Sequence, residues 1–150
     1  MTQDELKQYR FIVQEIRDLS IDIKAMSIEI DRLRTEAEGN KWPDGQPRSH
    51  YATDRTAGIV ASLADLYAEQ SALIEDLLSL RLELSRCRQK IERWIRRLPS
   101  AQRQVIRLHY IYGQSWEEIA VRLGYSIYAI WKFHNIALEK KRTNQNALNP

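Results

Sequence analysis

One cysteine, two phenylalanines, three histidines, four prolines and five glycines are all that the 150 residues hold of those types. The single thiol, Cys87, excludes an intramolecular disulfide framework and suits a reducing compartment. Its place on a helical apolar stripe marks it as a small core hydrophobe. His50, His109 and His134 are scattered, with no His-Glu-x-x-His and no glycine-rich phosphate loop. No metal site, cofactor or catalytic constellation is expected, and so no enzyme. No stretch approaches the ~20 consecutive apolar residues of a membrane span. The opening Met-Thr-Gln-Asp-Glu lacks the basic and apolar segments of a signal peptide. The expected location is the cytoplasm, with no membrane partner.

The few helix breakers are also unevenly placed. Gly39, Pro43, Gly45 and Pro47 fall in one stretch, Gly39-Asn-Lys-Trp-Pro-Asp-Gly-Gln-Pro-Arg-Ser-His-Tyr51, which must interrupt any helix. On either side run uninterrupted heptad seams. Tyr9, Ile12, Ile16, Leu19, Ile23, Met26, Ile30, Leu33 and Ala37 alternate in steps of three and four. So do Ile59, Leu63, Leu66, Gln70, Leu73, Leu77, Leu80, Leu84, Cys87, Ile91, Trp94 and Leu98. Seams this long predict coiled-coil packing. Helices over about 3–38 and 55–98, joined by a loop at about 39–54, bury both seams by folding back as an antiparallel hairpin. In the loop, Trp42, Arg48 and Tyr51 either meet a partner or cover the hairpin end.

Some side chains lie off the seams. Val60, Tyr67 and Ile74 recur at seven-residue spacing on the second helix, and Ile21 and Ile28 on the first. A two-helix hairpin cannot cover those stripes, so a homodimer is expected through Val60, Tyr67 and Ile74. Gln70 is the polar seam position that sets register or oligomer state.

Charge is divided as sharply as the breakers. Residues 1–85 hold 10 Lys/Arg against 16 Asp/Glu, a balance of −6, and residues 86–150 hold 13 against 4, a balance of +9, giving the net +3. A basic excess confined to one end is the footprint of phosphate contacts. That end also carries the most telling local pattern. Leu98-Pro99-Ser100 closes the long helix and acts as a hinge between arm and head, not as a flexible linker. Val105, Ile106, Leu108 and Tyr110 form the apolar side of the next helix, which ends near Gly113. Ser115 and Glu118 make a Ser-x-x-Glu capping box, and Ile119, Ala120 and Leu123 supply a helical apolar face. Gly124 is the left-handed stop and Ser126 caps the following helix. Two short helices around a glycine turn make a helix-turn-helix.

On the last helix Ile130, Phe133, Ala137 and Leu138 face inward. Ile127, Tyr128, Trp131, Lys132 and Asn135 then face outward, as the side chains placed in a DNA groove. Asn135 suits adenine, and Ile127 or Tyr128 a thymine methyl. Ser126, Trp116, Arg122 and Arg103 are further DNA-contact candidates. The fold class is thus all-α: a long antiparallel coiled-coil hairpin (1–98), a helix-turn-helix head (99–142) and a frayed polar tail (143–150).

The string Leu98-Pro-Ser…Val-Ile-Arg-Leu-His-Tyr-Ile-Tyr-Gly-Gln-Ser-Trp-Glu-Glu-Ile-Ala-Val-Arg-Leu-Gly-Tyr-Ser126…His134-x-x-Ala-Leu138 resembles region 4 of bacterial sigma factors, the part that recognises the promoter −35 element. It is more similar still to the ArpU/RinA-like late-gene regulators of phages and prophages, nearly over the full length. That resemblance implies a phage activator of late promoters, acting on double-stranded DNA with host RNA polymerase in the bacterial cytoplasm. It places base readout on Ile127, Tyr128, Trp131 and Lys132, and gives His134 a helix-packing or phosphate-contacting role. The usual Arg, Lys or Glu of sigma-like recognition helices are replaced here by Ile127, Tyr128 and Trp131, so readout leans on apolar and shape contacts, or the face binds protein. No segment resembles the sigma region that melts the −10 element. The alternative is a coiled-coil assembly or adaptor protein whose head binds protein.

Overall fold

The computed structural model describes residues 1–39 and 50–146, with side chains for 1–39 and 54–139. The chain is all-α, and among the described residues there is no strand. Helix α1 spans Gln3–Gly39, α2 His50–Ile95, α3 Ser100–Ile106, α4 Trp116–Leu123 and α5 Ile127–Asn146, with a π-helical turn over Arg107–Ile111. Helix α2 starts at His50, so the expected loop of about 39–54 is shorter on its C-terminal side. Trp42 and Arg48, and the Tyr51 side chain, lie outside the described residues. Likewise α5 runs past the expected end at 142 as far as Asn146, into the segment expected to fray. No described helix is long and apolar enough to cross a membrane.

Two compact units divide the chain: Met1–Gln14 with Leu82–Pro150, and Glu15–Arg81. The unit of 15–81 is a helical hairpin. Gln70 Nε2 donates to Ser27 Oγ at 2.7 Å, and the Arg55 guanidinium meets the Glu36 carboxylate. Later residues of α2 thus pair with earlier residues of α1, which is the antiparallel order. Every described seam position in this unit is buried or half-buried. Full burial is reached only by Ile30, Ala37 and Ile59, because two helices alone leave the flanks of a seam open to water. Ser20 and Ser27 return their hydroxyls to the Ile16 and Ile23 carbonyls at 2.6 and 3.0 Å. Ser27 therefore satisfies its own helix while accepting from Gln70.

The other unit joins the base of both long helices to the head. Helix α1 begins with its own capping box: Glu5 N–H donates to Thr2 Oγ1 at 3.2 Å and Thr2 N–H to Glu5 Oε2 at 2.6 Å. One core contains Met1, Leu6 and Tyr9 from that end, Ile91, Ile95 and Leu98, and Ile106, Tyr110 and Ala137. Cys87 packs half-buried at its edge, where burial pushes its thiol above the ordinary value. A second core joins Val105 and Leu108 to Ile119, Ala120 and Ile130, walled by Trp116, Leu123 and Phe133. Helix α3 and the π turn form the shared wall, sending Ile106 and Tyr110 one way and Val105 and Leu108 the other. Arg107 reaches back to Glu92 with two bonds, Nε–Oε1 at 3.1 Å and the terminal nitrogen to Oε2 at 2.6 Å. The turn at 98–100, expected as a hinge and not as a flexible linker, is packed. Leu98 is buried, and Pro99 takes an extended ψ of 153° from which Arg103 N–H is accepted at 2.9 Å.

Candidate nucleic-acid interface

The turn between α4 and α5 is determined by short-range chemistry. Ser115 Oγ accepts from Glu118 N–H at 3.2 Å, while Glu118 Oε2 accepts from Ser115 N–H at 2.8 Å, which ties off two orphan donors. Glu117 and Glu118 also place negative charge at the positive end of the helix dipole. At the other end Gly124 takes φ +71°, and the N–H groups of Gly124 and Tyr125 both return to the Ala120 carbonyl. A Cβ at that φ is strained, so glycine is required by the turn. Ser126 Oγ then accepts from Ala129 N–H at 3.2 Å, and α5 departs with its first turn pinned.

This turn sets the phase of α5. Ile130, His134 and Ala137 point into the cores, and Phe133 and Leu138 flank them. Ile127, Tyr128, Trp131, Lys132 and Asn135 are all exposed. Tyr128, at 78% exposure, is more open than Ile127 or Trp131 on α5, and Val121 on α4 is more open still at 86%. Arg122 is exposed on the last turn of α4, while Arg103 on α3 is half-buried. Ser126 is exposed but engaged as a cap. Trp116 is half-buried, its ring stacked on His109 at 3.7 Å between centroids. Of the dimer candidates, Val60, Tyr67 and Ile74 are exposed on α2, whereas Gln70 is half-buried on the hairpin seam.

Behind the outward face lies an aromatic cluster that pattern reading does not find. Trp116 sits 5.2 Å from Trp131 and 5.0 Å from the His134 ring, and His134 stacks 5.9 Å from Tyr110. The turn over Arg107–Ile111 puts the consecutive His109 and Tyr110 both into packed positions, His109 against Trp116 and Tyr110 with Ile106 in the first core. Hydrogen bonds then fix the protons. His109 Nδ1–H donates to the Gln114 carbonyl at 2.9 Å. His134 Nδ1 lies 3.1 Å from Asn135 Oδ1, an acceptor, so Nδ1 carries the proton. His134 Nε2 is then an acceptor for the Tyr110 hydroxyl at 2.9 Å. His134 is buried at 3% exposure, in keeping with the packing alternative over the phosphate-contacting one. Asn135 is exposed, with Oδ1 held by His134.

Burial lowers the pKa of both His109 and His134. The unfolded chain takes up protons at the ordinary His value near 6.5, while the folded chain resists. Stability is therefore full above about pH 6.5 and lost as pH falls through the lowered folded values. Thermal melts from pH 7.5 to 5 should show a falling Tm, and His134→Gln should flatten that fall.

Residues 88–132 match the family model described as sigma-70, region 4. The matched segment opens in the last turns of α2, continues through α3, the π turn and α4, and closes in α5 just past Trp131. It covers less than a third of the chain. No curated protein and no solved structure matches the chain.

Proposed function

We propose that the protein binds double-stranded DNA through the first half of α5 and works as a transcriptional regulator. The observation that carries this reading is the coincidence of three features in one segment. A capped helix-turn-helix holds α5 with Ile127, Tyr128, Trp131 and Lys132 exposed, the sigma-70 region 4 match ends on that face, and the basic excess of +9 lies in the same part of the chain. In its finer form the reading is a phage or prophage late-gene activator of the ArpU/RinA-like kind. It acts as a homodimer in the bacterial cytoplasm with host RNA polymerase, without cofactor or catalysis, the head docking on DNA while the arm or loop meets the polymerase or a sister subunit.

Titration of duplex DNA against NaCl tests the DNA-binding core of this reading. With about four to six phosphates neutralised per subunit, log K should fall against log salt with a slope near −4 to −5 for each subunit. An affinity insensitive to salt would contradict it and favour a protein-binding head. That second reading draws on the apolar character of Val121, Tyr125, Tyr128 and Trp131, all exposed.

A further inference from the structure

The arm carries a second seam. Val60, Ala64, Tyr67, Ser71, Ile74 and Leu78 each follow a first-seam residue by one position, so they repeat its spacing rotated about 100° around α2. All six are exposed, with Val60 at 56%, Tyr67 at 45%, Ile74 at 40% and Leu78 at 54%. The next member of the series is Arg81, whose charge ends the stripe. The seam spans about 27 Å of helix and contains no ionisable side chain except the Tyr67 phenol.

We infer that this seam is the contact between two copies of the chain, packed α2 against α2 in antiparallel order about a two-fold axis near residue 69. This deepens the homodimer of the proposed function and rests on it. Charge selects the face. The opposite flank of the hairpin carries Glu15, Asp22 and Glu29 from α1 and Glu69 and Asp76 from α2, and Glu15, Asp22 and Asp76 line one groove of about 500 Å³ there. Two copies meeting on that flank would bring like charges together, whereas the second seam has none to oppose. Side-chain size selects the direction. Antiparallel pairing about residue 69 sets Tyr67 against Ser71, Ile74 against Ala64 and Val60 against Leu78. Both inner layers then join a large residue to a small one, as close packing requires. In-register parallel pairing would stack Tyr67 on Tyr67 and Ala64 on Ala64, alternating clash and void.

Cross-linking of the full chain tests this, in a Cys87→Ser background. The Ala64→Cys, Ile74→Cys double variant should oxidise to covalent dimers, because facing Cβ atoms come within the roughly 3.5–4.5 Å that a disulfide needs. Ala64→Cys alone should not, since its facing residue is Ile74. Covalent dimers from the single variant would show a parallel seam and overturn the proposal. So would absence of cross-links from the double variant with a monomer by sedimentation. Tyr67→Glu, with unchanged helix content, should raise the dimer Kd by about tenfold or more, because it puts a charge into an apolar contact. An unchanged Kd in that variant would equally overturn it. Salt-dependent DNA binding by a monomeric chain would leave the DNA reading standing while this one falls.

Discussion

A head fragment beginning at Pro99 should fail to melt cooperatively, even though it contains the whole helix-turn-helix. The reason is the shared core: Leu6 and Tyr9 from α1 and Ile91 and Ile95 from α2 are all buried against Ile106, Tyr110 and Ala137. Each such side chain contributes on the order of 1.5–3 kcal/mol by leaving water. Losing four of them removes several kcal/mol from a domain whose whole stability is on the order of 5–15 kcal/mol. The fragment would also lose the Arg107–Glu92 pair. In the intact chain, Leu6→Ala should lower head stability by about 2–5 kcal/mol through the cavity it opens. Denaturant unfolding followed by tryptophan fluorescence reports it, because Trp116 and Trp131 lie in the head. A sharp, native-like melt of the isolated fragment would mean that the second core of Val105, Leu108, Ile119, Ala120 and Ile130 suffices alone.

That dependence marks where the sequence stops being readable. The two seams were legible because period and length suffice: every described seam position from Tyr9 to Leu98 turns out buried or half-buried. The Ser115–Glu118 box and the Gly124 stop were legible because their chemistry is local. The junction was not. Leu98-Pro99 reads as a hinge, since proline ends a helix whether or not the pieces beside it pack together, and nothing in the chain order announces that Leu6 meets Ile106. Nor was the cluster of His109, Tyr110, Trp116 and His134. Its members come from three separate elements, and nothing in the chain order announces that His109 stacks on Trp116 or that Tyr110 meets His134. Gln70 was visible as a polar break in the seam, but its partner Ser27 lies one place off the opposite seam and is found only in three dimensions. The outward face of α5 followed from the inward one, by subtraction. Its exposure was therefore legible and its chemistry was not.

Lys132→Ala and Trp131→Ala should both weaken DNA binding, and they should do so differently. Lys132 is an exposed cation on the outward face, where the proposed reading gives it a phosphate or a guanine contact. If it meets a phosphate, its loss should lower affinity about equally on all sequences and shrink the salt slope by about 1. Trp131 is only partly open, at 45%, because its ring leans on Trp116 at 5.2 Å and on His134 at 6.4 Å. Its free edge can meet a base, and losing it should cost roughly 1–3 kcal/mol of discrimination between sites while leaving the salt slope unchanged. Since Trp131→Ala also unpacks part of the aromatic cluster, a melt of the variant must accompany the binding curve. Tyr128→Ala supplies the control: it sits on the same face at 78% exposure and enters none of the described ring contacts, so its removal should leave the melt unchanged. Footprinting the three variants on a selected target duplex separates the outcomes. If Trp131→Ala and Tyr128→Ala bind DNA as the parent does but fail to activate transcription, the apolar face of α5 is a protein contact. The basic residues would then remain as the DNA-binding part of the head, and sequence recognition would have to be sought at Arg122 and Arg103.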